Sequence, residues 1–347
     1  MIKILLIKKG AIGDLLMATP LIRQLKQKLN CQLDILVGSS AAISLDSNTN
    51  ISNKFIVNDE LFTIKNSYKF IKYLYALRKN KYDYVLVLDK HWYFNLLAKL
   101  VGGITIGFER ESVSRYLLDY AVPYNDNTKY HGIYYLELLG KINSKLVDYT
   151  DLKLDLCIHK TNENKVKNWL KSQNITNFII VVNSGGNNAF EQNGIRMLPE
   201  AKVLELLKQL CLKNENIILL GSKIDRVAYA SYITNLATSP QIINAAGIFN
   251  LAESTYLFKL SKHAYVTDCG ALHLAVAAEI GNRLTAIFAP TNPKHVLPFD
   301  YLSMAIWQDE DIYMPRYSLY GAKGIQHKEY FTQLNICDLV KFYKYYG

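Results

Sequence analysis

Val266–His273 reads V-T-D-C-G-A-L-H and runs on into L-A-V-A-A-E-I. The residues from Ala264 to Asp268 predict the end of a short buried strand. Gly270 frees the chain to turn, and the small apolar run Ala271–Ile280 predicts a buried helix. Such a strand–turn–helix aims the first free N–H groups of its helix at one point, which makes an anion site. Asp268 is placed to accept hydrogen bonds from ribose or sugar hydroxyls. Cys269, Gly270 and Ala271 offer backbone donors, and His273 lies in the first turn, within reach of a phosphate. Thr285–Phe288 predicts a further strand, and A-P-T-N-P (Ala289–Pro293) a rigid turn over the same mouth.

Working outward, the 347 residues suit two domains of about 150 residues each rather than one core. Half of the residues are apolar and mean hydropathy is near zero, as in a globular protein with ample core. The net charge of +10 points to an anionic partner. That pointer is blunted because Lys, Asn, Ile and Tyr are all abundant together, which base-composition drift also produces. The five cysteines, at 31, 157, 211, 269 and 337, form no C-x-x-C and no Cys/His cluster, which argues against a disulfide framework and a structural zinc site. The opening I-K-I-L-L-I is too short for a signal-peptide core, and no stretch approaches the roughly 18 apolar residues of a spanning helix. These features lead to the expectation of a cytoplasmic protein, with a peripheral hold on the inner membrane left open.

From the N-terminus, Ile2–Ile7 predicts a strand buried on both faces of a parallel sheet. The turn K-K-G-A-I-G-D (Lys8–Asp14) follows. Leu15, Ala18, Leu21, Ile22, Leu25 and Leu29 then share one helical face, with Pro20 bending or restarting the helix. Gly10 and Gly13 do not make G-x-G-x-x-G, so a nicotinamide site is disfavoured. Asp14 stands on a turn after a strand, where open α/β sheets bind ligands; its plainer reading is a helix N-terminal carboxylate stabilised by the dipole. Further strands are expected at Gln32–Val37, Phe55–Asn58 and Tyr84–Leu88, with a tyrosine-rich helix near Ser67–Arg78; D-K-H-W (Asp89–Trp92), a helix and I-T-I-G-F-E-R (Ile104–Arg110) follow. His131 opens a helix over Gly132–Leu139. The stretch 151–157, D-L-K-L-D-L-C, is strand-like, and a polar helix follows from about Thr161 to Lys171. A second βα series begins at Ile179–Gly186, with strands at Asn216–Leu220 and Gln241–Asn244. A helix-like tail covers about Leu334–Tyr346.

Four of these stretches, in order, resemble the ADP-heptose:lipopolysaccharide heptosyltransferases of glycosyltransferase family 9. The family's D-(S/T)-G-x-x-H-L-A-A-A and (F/Y)-G-P-T-x-P stand here as D-C-G-A-L-H-L-A-V-A and F-A-P-T-N-P. Its N-terminal G-D-h-h-h-x-T-P (h, hydrophobic) stands as G-D-L-L-M-A-T-P, and its N-P-G-G as Asn183-Ser184-Gly185-Gly186. The resemblance spans Ile4 to about Pro298. It implies an α/β protein of GT-B architecture, with two Rossmann-like domains facing across a cleft. Residues 1–160 would bind the acceptor and 161–325 the nucleotide-sugar, while a helix in 326–347 would pack back on the first domain.

The resemblance further implies an inverting glycosyltransferase moving heptose from ADP-heptose to a lipopolysaccharide-core hydroxyl. Asp14 takes the place of the catalytic base. The donor would be held by Ser184, Gly185, Gly186, Arg196, Asp225, Phe249, Asp268, Cys269, Gly270, Ala271 and His273. The acceptor, an anionic or lipid-linked glycan, would meet Gly13, Lys90, His91, Arg110, Arg115 and His131. Arg196 fits a diphosphate because its fork pairs phosphate oxygens; a surface arginine flanking a helix is its plainer reading. A solvated rim serves equally for each basic acceptor residue, and a lone Phe249 is more often core. No metal or other cofactor is expected, D-E-D at 309–311 being read as surface. Ser184, Leu198, Cys269 and Ala289 depart from the commoner family residues, which leaves another nucleotide-sugar, a polysaccharide or protein acceptor, or a noncatalytic relative open. Nucleic acid is not an expected partner, since no RNA-binding module is recognisable.

Overall fold

Short apolar strands alternating with amphipathic helices build two all-parallel sheets of six strands each. The structure is a computed structural model describing residues 1–58, 67–110, 112–124, 129–185, 194–236, 241–289, 291–307, 331 and 334–340. The chain divides into two compact units, Met1–Cys157 and Ile158–Gly347.

The first unit runs β1 (Ile2–Lys8), α1 (Ile12–Met17), α2 (Thr19–Lys28), β2 (Cys31–Gly38), β3 (Asn53–Val57), α3 (Ser67–Arg78), β4 (Tyr84–Val87), α4 (Trp92–Val101), β5 (Ile104–Glu109), α5 (Ser114–Leu117), β6 (Tyr120–Pro123) and α6 (His131–Ile142). Its strand order is β3-β2-β1-β4-β5-β6. Strand β1 is apolar on both faces because both are covered. Ile4 and Leu6 pack toward α1, α2 and α6, whereas Leu5 and Ile7 pack toward α3 and α4. Pro20 sits in the first turn of α2, where a missing N–H costs nothing, so the helix restarts there.

The second unit runs α7 (Lys160–Ser172), β7 (Ile179–Val182), α8 (Glu200–Leu212), β8 (Ile217–Leu219), α9 (Asp225–Asn235), β9 (Ile242–Asn244), α10 (Leu251–Leu260), β10 (His263–Thr267), α11 (Gly270–Ala277), β11 (Leu284–Phe288), α12 (Pro293–Val296) and β12 (Ala305–Trp307). Its order, β12-β11-β10-β7-β8-β9, repeats the first: the first and fourth strands of each unit lie side by side. That pair is the topological switch point, where loops leave in opposite directions and a crevice opens at the carboxyl ends of the strands.

One expectation is corrected. Residues 151–157 form no strand. Their polar groups are taken by α2 instead: Arg23 pairs with Asp151 and Asp155, Gln24 Nε2 donates to the Asp151 carbonyl, and Asp155 N–H donates to Thr19 Oγ1. Leu334, Ile336, Leu339 and Val340 close the core of the second sheet beside Leu210 and Tyr265, and Lys202 donates to the Leu334 carbonyl. An apolar face that covers a bare sheet is stabilised where it lies. Gly186, the D-E-D at 309–311, and 341–347 lie outside the described residues.

Candidate active site

In the first unit the switch point gathers charge. β1 pairs with β4 in a register that sets Ile7 against Val87, so the residues just beyond, Lys8 and Asp89, emerge together. Lys8 is buried, and its ammonium lies 2.8 Å from both Asp14 Oδ2 and Asp89 Oδ1. Lys9 N–H donates to the other Asp89 oxygen at 2.6 Å, which fixes that carboxylate. Asp14 sits in the first turn of α1, where the helix dipole favours its charge. Burial opposes ionisation of Asp14, but Lys8 first, then Lys90 and His131, outweigh it and hold the carboxyl well below the usual range. Burial likewise opposes charge on Lys8, and Asp14 and Asp89 overcome it, holding the ammonium well above its ordinary value.

Of the residues expected to meet an acceptor, Lys90 and His131 join Asp14. Lys90 Nζ lies 3.3 Å from His131 Nε2 and 4.4 Å above the Tyr124 ring, and Tyr124 Oη lies 3.0 Å from the same imidazole nitrogen. Gly13 is buried inside α1. His91 and Arg115 serve local structure. His91 caps α4, its Nδ1 accepting from Tyr93 N–H, and Arg115 pairs with Glu109 at 2.6 Å. Arg110 stands half-buried one residue past β5.

The second unit repeats the geometry with the signs exchanged. Asp268 follows β10, and its buried carboxylate accepts from Arg196 Nη1 at 3.2 Å and from the Thr291 hydroxyl. Gly185 follows β7 with φ at +118°, and a Cβ there would meet the Asp268 carbonyl oxygen at 2.7 Å. Only glycine permits that approach. Ser184 N–H donates to Thr267 Oγ1, which donates back to the Ser184 carbonyl at 2.6 Å, so the two turns are laced together. Asn183 completes the frame: its side-chain amide donates to the Leu198 carbonyl and accepts from the Leu198 N–H, returning the chain beside Arg196.

At α11, Gly270 has open space on its Cβ side, and the N-cap residue Cys269 makes no side-chain capping bond. Burial pushes the neighbouring Cys269 thiol up to about 11, so it is neutral at physiological pH. His273 is buried in the first turns of α11. Asp225 is drawn into the loop itself: Oδ1 accepts from the Ser184 hydroxyl, and Oδ2 from Ser222 N–H and Oγ. Phe249 packs edge-on against Trp169, with ring centroids 5.0 Å apart. The structure thus brings together Ser184, Gly185, Arg196, Asp225, Asp268 and Cys269, and it leaves Phe249 in a packing contact.

Residue by residue, the sequence reading missed Lys8, Asp89, Tyr124 and Thr291. Lys8 and Asp89 carried a signal: a lysine and a carboxylate ending two otherwise apolar strands. Among the described residues no group of His, Cys, Asp and Glu could hold a metal ion, and no helix is long and apolar enough to cross a membrane.

Residues 70–317 match the family description "Glycosyltransferase family 9 (heptosyltransferase)". The chain belongs to glycosyltransferase family 9. As a member it is a glycosyltransferase. Family 9 structures share its fold along the whole length. A family 9 glycosyl transferase from Veillonella parvula covers 99% of this chain and 96% of its own, with 15% identity and a TM-score of 0.78. The E. coli ADP-heptose lipopolysaccharide heptosyltransferase II covers 99% of both chains, with 19% identity and a TM-score of 0.71. The E. coli heptosyltransferase WaaC with ADP covers 100% of both, with 15% identity and a TM-score of 0.70. Identities this low speak for the GT-B fold alone. None of the curated proteins compared matches the chain.

Proposed function

We propose that this glycosyltransferase moves a heptose from ADP-heptose to a hydroxyl of a lipopolysaccharide core or related glycan, with inversion at the anomeric carbon. The observation that carries the reading is the pairing of two differently charged switch-point sites, one fit for base chemistry and one for a diphosphate. The family match begins at residue 70, so the role of Asp14 rests on its geometry. Its carboxylate is ionised, one oxygen is anchored by Lys8, and the side chain is 34% exposed. In the reaction the acceptor oxygen attacks the anomeric carbon, Asp14 takes its proton, and the bond to the β-phosphate breaks. A base of low proton affinity suffices when the proton leaves late, as the new bond forms. Lys90 adds positive charge where an anionic acceptor sugar would lie, and His131 lies beside it.

The departing ADP gains charge on its β-phosphate. Arg196, held by Asp268, and the backbone donors of Gly185 and of residues 269–271 would stabilise that charge without a metal ion. The ADP bound in the structurally similar WaaC supports an adenine diphosphate donor. Asp225 favours a second reading. Both of its oxygens are engaged by Ser184 and Ser222, so a ribose must share or displace them, and a different nucleotide-sugar fits that arrangement. Calorimetric titration of EDTA-treated protein with ADP, UDP and GDP separates the two. Preference for ADP supports the first reading; preference for UDP or GDP discards the heptose and keeps the transferase. Transfer that survives EDTA treatment supports metal independence, and loss restored by a divalent cation removes it.

A further inference from the structure

Helix α3 has an apolar side too many. One side packs on the sheet, with Leu77 buried and Phe70, Tyr73 and Leu74 partly so. The opposite side turns Tyr68, Ile71 and Tyr75 to solvent, 77%, 63% and 61% exposed. Their spacing of three and four residues makes them one stripe. Helix α4 packs beside α3, and Arg78 Nη1 donates to the Leu100 carbonyl at 2.6 Å, tying the two ends. Trp92, Leu96 and Leu100, four residues apart along α4, are also exposed, and Tyr116 on the adjoining α5 is more so. A helix layer whose inner face already fills a core and whose outer face is again apolar marks an interaction surface.

The charge around the stripe identifies the partner. Residues 67–82 contain Lys69, Lys72, Arg78, Lys79 and Lys81 and no acidic residue. Lys72, Arg78, Lys79 and Lys81 are exposed, and Lys79 Nζ lies 4.8 Å above the Tyr75 ring. On the neighbouring helices Lys99 and Arg115 are paired with Asp119 and Glu109, so among the described residues the charge without an acidic partner belongs to α3. Protein–protein interfaces are depleted in lysine. Tyrosine and tryptophan interleaved with lysine is instead the composition that settles at a lipid headgroup boundary.

We propose that the outer face of α3 and α4 docks on an anionic phospholipid bilayer. The aromatic rings enter the headgroup region while the lysines engage lipid phosphates. This inference does not depend on which sugar is transferred, and its test uses no activity.

The full-length protein is co-floated with vesicles of phosphatidylcholine alone or mixed with phosphatidylglycerol. Binding is expected to the mixed vesicles and to fall in high salt, where screening shortens to about 3 Å at 1 M. The double change Lys72→Glu and Lys79→Glu should lower the partition constant at least ~10-fold. Tyr68→Ser with Ile71→Ser and Tyr75→Ser should lower it comparably. All five positions are exposed, so unfolding is not expected, and an unchanged thermal transition checks this. Trp92 emission should shift to the blue on adding mixed vesicles, and Trp92→Phe should remove the shift. Absence of binding to mixed vesicles, or binding unaffected by both variants, overturns the proposal. So does concentration-dependent self-association that the serine variant abolishes in protein that ignores vesicles, which would give the face to a second copy of the chain.

Discussion

The two switch points use one geometry for opposite ends. In the first unit a buried cation, Lys8, with a 4% exposed side chain, presents a carboxylate, Asp14, that is 34% exposed. In the second a buried carboxylate, Asp268, 3% exposed, presents a guanidinium, Arg196, that is 19% exposed. In each, the inner charge repays its burial by holding the outer one in place, and the outer one is the more exposed of the two. On the function proposed above, the same strand–turn–helix would serve as a proton acceptor or an anion clamp according to which sign is placed inside.

The contrast breaks most sharply at Asp14. Asp14→Asn should lower single-turnover transfer by ~10³ while leaving the calorimetric affinity for ADP unchanged. Transfer within about tenfold of the parent would remove Asp14 as base. Lys8 comes next. Lys8→Met leaves two carboxylates without their buried partner, at a cost of about 3 kcal/mol in urea unfolding. The Asp14 carboxyl then rises, so the acid limb of the pH–rate profile should move up toward ~4, whereas Lys8→Arg should keep it low.

The signs follow from the shifts. Asp14, depressed when folded, contributes stability above its unfolded value and loses it only as pH falls through the folded one. Lys8, raised when folded, contributes below its unfolded value and loses it as pH climbs through the folded one. Between the two ordinary values the pair should show no pH dependence, and a mid-range change in unfolding free energy lost in Lys8→Met would contradict the pairing.

In the second unit Arg196→Ala should weaken ADP binding by ~10- to 100-fold, the worth of a charge-assisted hydrogen bond. Asp268→Asn, acting through Arg196, should weaken it less. The reverse ranking in the same titration would mean that Asp268 touches the ligand itself. The smallest effect concerns Cys269. With its thiol pushed up to about 11, only ~10⁻⁴ of it is thiolate at neutral pH. Iodoacetamide followed by peptide mapping should therefore label exposed Cys157 and Cys337 well before Cys269, and early labelling of Cys269 would refute its raised thiol.

Much of this was legible in the chain. Central strands such as β1 and β7 announce themselves as unbroken apolar runs because both of their faces are covered. Edge strands do so unevenly: β3 and β9 were expected. β6 and β12, with four and three residues of mixed exposure, were missed because little burial disciplines their sequence. The stretch 151–157 misled in the other direction: alternating Leu and Asp imitate a strand, yet the aspartates answer to Arg23 more than a hundred residues away.

The sequence by itself determined the two βα halves, the family, and the turns that carry Asp14 and Asp268, since these depend on local pattern and spacing. The partners of those residues were decided by tertiary structure. Lys8 and Asp89 are about eighty residues apart, as are Ser184 and Thr267, and only the crossover that lays the fourth strand beside the first brings them into contact. Electrostatic character follows from that proximity and from burial, and neither is written in any one stretch of chain.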